Sequence, residues 1–266
     1  MNNDRNARVW ASIHAVAHEE GARVSVRHAC MACSRAIKAT GAGLSMTRDG
    51  RLHEPVYGTD SLSQELEELQ FTLGEGPCMD ANAGDRPVLV PDVAAVWAGR
   101  RWPMFAPAIA ERGIVAVFAI PVAAGAARLG VMDLYRTRSG LLTHEELADA
   151  LTFADAALML ALDHGDGGET GLDDLFAGDF AERRAEVHRA AGMVAAQIGA
   201  SIADALARLR AYAYAQDQRL GDVAAAVLAR RLRFGPDGRS DGGPRGDGGT
   251  TGPRDGPAGE KGGEIG

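Results

Sequence analysis

Apolar residues recur on a helical period over residues 5–20, where Val9, Ile13, Val16 and Ala17 share one face. A second helix is predicted over 24–40, with Val26, Cys30, Cys33 and Ile37 on its apolar stripe and Gly41 as its stop. The period then falls to two. Residues 43–47 and 52–57 read as strands around Arg48-Asp-Gly-Arg51, a hairpin signal. Ser61 and Gln64 fit a capping box opening a helix that ends near Phe71. A short strand, Pro87-Val-Leu-Val-Pro91, and a helix within 101–112, after Pro103, follow. The clearest strands span 114–122 and 128–135, and Thr143-His-Glu-Glu146 caps a last helix running to about 163. Helix, hairpin, helix, strand, helix, hairpin, helix describes an α+β domain with an antiparallel sheet and flanking helices.

Beyond an acidic, glycine-rich linker at 164–179 the helical period returns three times. Val187, Ala190, Ala191, Val194 and Ile198 form the first stripe. Ile202, Ala205, Leu206, Leu209 and Ala213 form the second, and Leu220, Val223, Ala224 and Val227 the third. Gly199 closes the first helix, Ser201-Ile-Ala-Asp204 caps the second, and Asp217 is placed as the cap of the third. Residues 180–234 are therefore expected to form a three-helix bundle. In 235–266, 17 of 32 residues are Gly or Pro, and a disordered tail is expected because so little apolar surface cannot offset the ordering entropy.

Charge divides the chain further. The net charge is −8, yet residues 180–234 hold nine Arg against five acidic residues, a net of +4. The tail is −2, leaving −10 for residues 1–179. Only the bundle is electrostatically suited to a polyanion. One feature of its first helix stands out: no charge occurs from Ala190 to Ala203, so Gly192, Met193 and Ala196 give a small, smooth face beside the single Arg189. Such a face fits either close approach by a partner or burial on both sides.

Candidate chemistry elsewhere is sparse. Cys30-Met-Ala-Cys33 has metal or redox spacing, but it lies on a helical apolar stripe with no second ligand pair, which favours buried structural thiols. Cys78 follows Leu73-Gly-Glu-Gly-Pro77, whose Gly74, Glu75 and Gly76 lack the Lys-Ser/Thr of a phosphate loop and read as a turn over a pocket. The histidines are scattered and no nucleophile–base–orienter set is readable, so neither catalysis, metal nor cofactor is assigned. Nothing at the start resembles a signal peptide, and the longest apolar stretch, 112–128, contains Pro121 and falls short of the roughly 20 residues of a membrane span. A soluble, cytoplasmic protein without membrane partners is expected.

Two resemblances sharpen this reading. Leu73-Gly-Glu-Gly-Pro-Cys78, Pro87-Val-Leu-Val-Pro-Asp92, Arg101-Trp-Pro-Met-Phe-Ala106 and Leu129-Gly-Val-Met-Asp-Leu-Tyr-Arg136 resemble the GAF domains that actinobacteria attach to regulators. The resemblance covers 22–163, with 1–21 as a preceding helix, and implies a small-ligand pocket between sheet and helices; Gly74, Glu75, Gly76 and Cys78 are its candidate lining. Some GAF relatives reduce free methionine sulfoxide with loop cysteines, which is one alternative. Val187-His-Arg-Ala-Ala-Gly-Met-Val194, Gln197-Ile-Gly199, Ala205, Leu209-Arg210, Ala213 and Leu220-Gly-Asp-Val-Ala224 resemble an ANTAR domain. That family implies a dimer that binds paired RNA hairpins in leader transcripts and promotes transcription antitermination. The family pattern has Gln-Ala-Lys-Gly before the methionine. Here Arg189 stands for the amide and Ala191 for the lysine, which removes a phosphate-capable cation.

The expectation is a non-enzymatic sensor–effector regulator. Arg189, Arg208 and Arg210 are the candidate RNA cations, Gly192 and Met193 the close-contact surface, and Tyr212 a stacking platform or a packing residue between helices. Arg210, about 100° from Leu209 on the helix, is expected to reach solvent. A bundle that only dimerises or binds protein is the other alternative.

Overall fold

The computed structural model describes residues 2–48, 52–84, 86–125, 127–163, 179–216, 218–235 and 240–241. The hairpin turn at 49–51, most of the linker, the Asp217 cap and nearly all of the tail lie outside these residues. Five strands form one sheet: β1 (Gly41–Arg48), β2 (Leu52–Gly58), β3 (Val88–Val90), β4 (Ala116–Ala124) and β5 (Ala127–Arg136). Their order is β2-β1-β5-β4-β3, and every neighbouring pair is antiparallel.

The two-residue period assigns each side chain to a face. Ala42, Leu44 and Met46 of β1, Phe118, Ile120 and Val122 of β4, and Met132 and Leu134 of β5 join one buried cluster. That cluster also takes side chains from α1 (Asn2–Glu19), α2 (Val26–Ala36) and α7 (His144–Leu162). The opposite face lies under α3 (Ser61–Leu73), α4 (Pro77–Ala83), α5 (Val96–Arg101) and α6 (Phe105–Glu111). It carries Val117, Ala119, Val131, Asp133 and Tyr135.

Local chemistry explains the boundaries, including those that depart from the sequence pattern. α7 begins as expected: Thr143 accepts from the Glu146 amide at 3.1 Å and Glu146 accepts from the Thr143 amide at 2.7 Å. α2 is shorter than expected. It stops at Ala36, Lys38 takes a left-handed φ of 53°, and Gly41 opens β1 instead of closing the helix. α3 is capped by Asp60, whose carboxylate accepts from the Ser63 amide at 2.9 Å, so Ser61 is not the cap. The helix expected after Pro103 is α6, over Phe105–Glu111, and a short α5 that was not expected precedes it and ends where Trp102 leaves helical geometry ahead of Pro103. α4 was not anticipated: Pro77 sits in its first turn, where a missing N–H costs nothing, and Gly76 at φ 138° supplies the bend before it.

The last three helices are α8 (Asp179–Ile198), α9 (Ile202–Ala215) and α10 (Leu220–Leu228), followed by the short strands β6 (Arg233–Phe234) and β7 (Ser240–Asp241). Val187, Ala190, Ala191, Val194, Ala205, Leu206, Leu209, Ala213, Leu220, Val223, Ala224 and Val227 meet in one apolar cluster. Gly199 ends α8 at φ 66°, and Ser201 accepts from the Asp204 amide at 3.1 Å to open α9. Ile202 is the exception to the predicted stripe. It is 59% exposed, because it opens α9 one turn before that helix meets its neighbours. Phe71 of α3 completes the cluster, so the bundle core extends onto the sheet domain.

No single helix among the described residues is long and apolar enough to cross a membrane. The pair α8 and α9 passes such a test by length and composition, but is bent by 105°.

Candidate functional site

Beneath α3 and α4 the sheet carries a polar cluster with no exposure to solvent. Gly43 of β1 lies opposite Asp133 of β5. With no side chain at 43, the Glu67 side chain of α3 lies flat over β1; a Cβ there would fall 2.0 Å from Glu67 Oε1. Ser45, the next inward position of β1, donates its hydroxyl to Glu67 Oε2, and the Tyr135 hydroxyl donates to Glu67 Oε1 at 2.6 Å. Gln70, one helical turn beyond Glu67, donates to Asp133 Oδ2 at 3.1 Å and accepts from the Cys78 amide at 2.9 Å. Cys78 thereby joins the two carboxyls: one donor atom from each of Glu67, Cys78 and Asp133 lies within 4.8 Å of the others.

The electrostatics are unusual for a core. Burial raises the Asp133 carboxyl to about 6. Burial first, and then the neighbouring Asp133, push Glu67 well above the carboxylate range. Burial also pushes up the Cys78 thiol. Among the described residues neither carboxyl has a cationic partner. Asp133 Oδ1 is buried with no hydrogen-bond partner among the described residues. An orphaned carboxylate oxygen is costly and marks a place where a proton, ion or ligand group belongs.

Of the predicted pocket residues, only Cys78 belongs to this cluster. Gly74 is the left-handed C-cap of α3 at φ 67°. Glu75 turns away and accepts from the amides of Met104 and Phe105 at 2.7 and 2.8 Å, capping α6. Gly76 brings the backbone against Gln70, where a Cβ would lie 2.3 Å from Gln70 Oε1. The loop therefore holds α3, α4 and α6 together, while Ser45, Glu67, Gln70, Asp133 and Tyr135 were not singled out by sequence. The available signal was Asp133 itself, an acid inside the otherwise apolar run Val131-Met-Asp-Leu-Tyr135. Cys30 and Cys33 are fully buried free thiols on α2, facing the other side of the sheet.

The predicted RNA residues separate into two places. Arg189 is exposed on α8, with its Nε–H donated to the Ala185 carbonyl at 3.2 Å. Gly192 and Met193 are half-buried, Met193 packing partly on the bundle core. Ala191 is fully buried, so a lysine there would have to leave the core; this departure concerns packing as much as surface charge. Arg208 is half-buried and donates to the Gly235 carbonyl at 3.1 Å. Tyr212 packs edge-on against Phe234, and Phe234 donates its amide to Gln197 Oε1 at 3.0 Å. β6 and the Gly235 that follows it thus bring together Gln197, Arg208 and Tyr212, with the exposed Arg233 in the strand itself. Arg230 and Arg231, exposed just before β6, also went unassigned.

Arg210 corrects the sequence reading. It is half-buried instead of freely exposed: its guanidinium lies 4.7 Å from the centre of the Phe71 ring, Nε is buried without a partner among the described residues, and burial lowers its pKa. A helical wheel drawn within the bundle could not foresee that α3 covers this position. A second contact across the same junction pairs His188 Nε2 with the buried Glu54 Oε1 at 2.7 Å. Beside these contacts runs a cleft of about 530 Å³, floored by Leu69, Leu73 and Leu220 and edged by Glu65, Glu68, Glu186, Asp222, Arg112 and Arg219. Four acids against two arginines disfavour a polyanion in the cleft.

No family model matches the sequence. No curated protein matches it either. Among solved structures, the chain is similar to the GAF domain of a phosphoenolpyruvate-protein phosphotransferase from Coxiella burnetii, at 15% identity and a TM-score of 0.42, covering 58% of this chain and 92% of that one. It is likewise similar to the corresponding GAF domain from Acinetobacter, at 10% identity and 0.43, covering 57% and 91%. A GAF domain from Synechocystis, solved in its photoproduct state, gives 15% identity and 0.39, covering 50% and 87%.

Proposed function

We propose that the chain is a sensor–effector regulator in which a GAF-like α+β unit governs an ANTAR-like bundle that binds structured RNA and promotes transcription antitermination. The observation that carries the RNA half is the distribution of charge. The bundle has an uncharged core and a net charge of +4, with Arg189, Arg230, Arg231 and Arg233 exposed, in a chain whose net charge is −8. Arg208, Tyr212 and Arg233 around β6, with Arg189 on α8, supply guanidinium groups for phosphate and a ring for an unstacked loop base. In this reading the protein acts without catalysis, in the cytoplasm, as a homodimer on paired leader hairpins, and a small ligand or other signal acts on the α+β unit.

Helix α3 supplies the coupling. One face holds Glu67 and Gln70 in the buried polar cluster, and Phe71, between them and the bundle, carries Arg210. A change around Glu67 that shifts α3 must alter the Phe71–Arg210 contact and the seat of the bundle. Undocking would also free Arg210 as a further cation for RNA.

Crosslinking the protein in its native cell and sequencing the bound RNA tests the reading. Leader segments with paired hairpins are expected. Loss of crosslinked RNA in a folded Arg189→Ala, Arg208→Ala double variant would place the contact on this surface, and absence of bound RNA for the unmodified protein would overturn the RNA half. A second reading, in which the bundle serves protein contacts only, is favoured by the burial of Ala191 at the family lysine position. It predicts no specific RNA, but retained self-association.

A further inference from the structure

We propose that Glu67, Cys78 and Asp133 form a binding site for a thiophilic divalent transition ion such as Zn²⁺ or Fe²⁺, inside the α+β unit between the sheet and α3 and α4. The proposal does not depend on RNA binding, and its test reads only metal and protein. It starts from geometry. One donor atom from each residue lies within 4.8 Å of the other two, and all three residues are buried. An ion with ligand bonds of about 2.0–2.3 Å brings tetrahedral donors to roughly 3.3–3.8 Å of one another, so side-chain adjustment suffices without moving the sheet.

A second, separate observation points to a missing partner. Asp133 Oδ1 is buried with no hydrogen-bond partner among the described residues, whereas Oδ2 of the same carboxyl is held by Gln70 at 3.1 Å. The remaining polar groups act as outer supports. The Ser45 and Tyr135 hydroxyls fix the Glu67 carboxylate, and Gln70 fixes both Asp133 and the Cys78 amide. Ligating carboxylates held by such second partners are the normal construction of metal sites. The cluster also lacks a compensating charge, since neither carboxyl has a cationic partner among the described residues. A divalent ion would neutralise two of the three negative groups it requires.

Donor chemistry selects the ion. One thiolate and two carboxylates suit Zn²⁺, Fe²⁺ or Co²⁺, whereas Mg²⁺ and Ca²⁺ take oxygen donors. Three protein donors fill three of four tetrahedral positions, the arrangement of sites that keep one place for an exogenous ligand. Binding requires the Cys78 thiol to lose its proton, along with any proton held between the two carboxyls, so uptake of the ion releases protons to solvent.

Co²⁺ is the probe. The full-length protein, stripped with a chelator and refolded with and without one equivalent of Co²⁺, is expected to show a thiolate-to-cobalt band in the near ultraviolet. Zn²⁺ should displace the cobalt and abolish the band. Cys78→Ser should remove the band, while Cys30→Ser, Cys33→Ser together should leave it intact. Should Cys78→Ser fail to fold, Asp133→Asn and Glu67→Gln decide the matter, each expected to weaken Co²⁺ binding at least tenfold. No band after refolding with Co²⁺, a band that survives Cys78→Ser, or unchanged affinity in both carboxyl variants would overturn the proposal.

Discussion

The α+β unit and the helical bundle bury opposite chemistries. Every buried polar or charged side chain among the described residues, from His28 to Arg136, belongs to the α+β unit. The bundle cluster contains only apolar residues, and its arginines lie outside or at its margins. A buried polar group is costly unless it is fully bonded. The α+β unit bonds most of its own: Gln70, for example, donates to Asp133 Oδ2 at 3.1 Å and accepts from the Cys78 amide at 2.9 Å. Among the described residues it leaves Asp133 Oδ1 and Arg136 Nε without a partner. The contrast places the buried polar groups in the sheet unit and leaves the arginines of the bundle at its surface or margins.

Breaking this contrast should have the largest effect. Ala224 has no exposure and lies among apolar residues, so Ala224→Asp places a charge in the bundle with no partner. We expect a loss of about 3–5 kcal/mol, enough to melt a small bundle, read as lost helical ellipticity while the sheet unit stays folded. Gly43→Ala tests the other half. Its methyl would meet Glu67 Oε1 at 2.0 Å and Cδ at 2.4 Å. Overpacking of this kind costs roughly 1–3 kcal/mol, visible as a lower denaturation midpoint. An unchanged midpoint would show that Glu67 is free to leave the cluster.

The junction between the halves carries a smaller prediction. Arg210→Ala removes a guanidinium from the Phe71 face and should cost about 1 kcal/mol, measured by denaturant unfolding. Equal stability to the parent would mean that the bundle does not rest on α3. The last effect is kinetic. Burial raises the thiols of Cys30, Cys33 and Cys78, so all three should react slowly with a thiol reagent in the folded protein and fully after unfolding. A rapid first equivalent would expose Cys78 or open α2.

Much of this architecture was legible where a single period ran long enough. The apolar segments at 114–122 and 128–135, joined by a small-residue turn, anticipated β4 and β5, and Thr143 with Glu146 anticipated α7, because both signals are local. α4 escaped because Gly-Glu-Gly-Pro reads as a turn, although Pro77 was also a first-turn helix signal. The buried cluster was illegible for a different reason. Ser45, Glu67, Cys78 and Asp133 are far apart in the chain and are joined only by the register of β1 against β5 and the seating of α3. Arg210 failed in the same way: its helix was foreseen correctly, but the neighbour that covers it comes from another part of the chain.

In the proposed reading the bundle binds RNA through its outer arginines. The most direct measurement is the affinity of the full-length protein for a native leader hairpin across a salt series. With roughly five phosphates neutralised and a slope near −0.7 per contact, a fourfold rise in salt should weaken binding about a hundredfold. A folded Arg189→Ala, Arg208→Ala variant should bind more weakly and show a shallower slope. Binding that ignores salt, or undiminished affinity in that variant, would contradict the account.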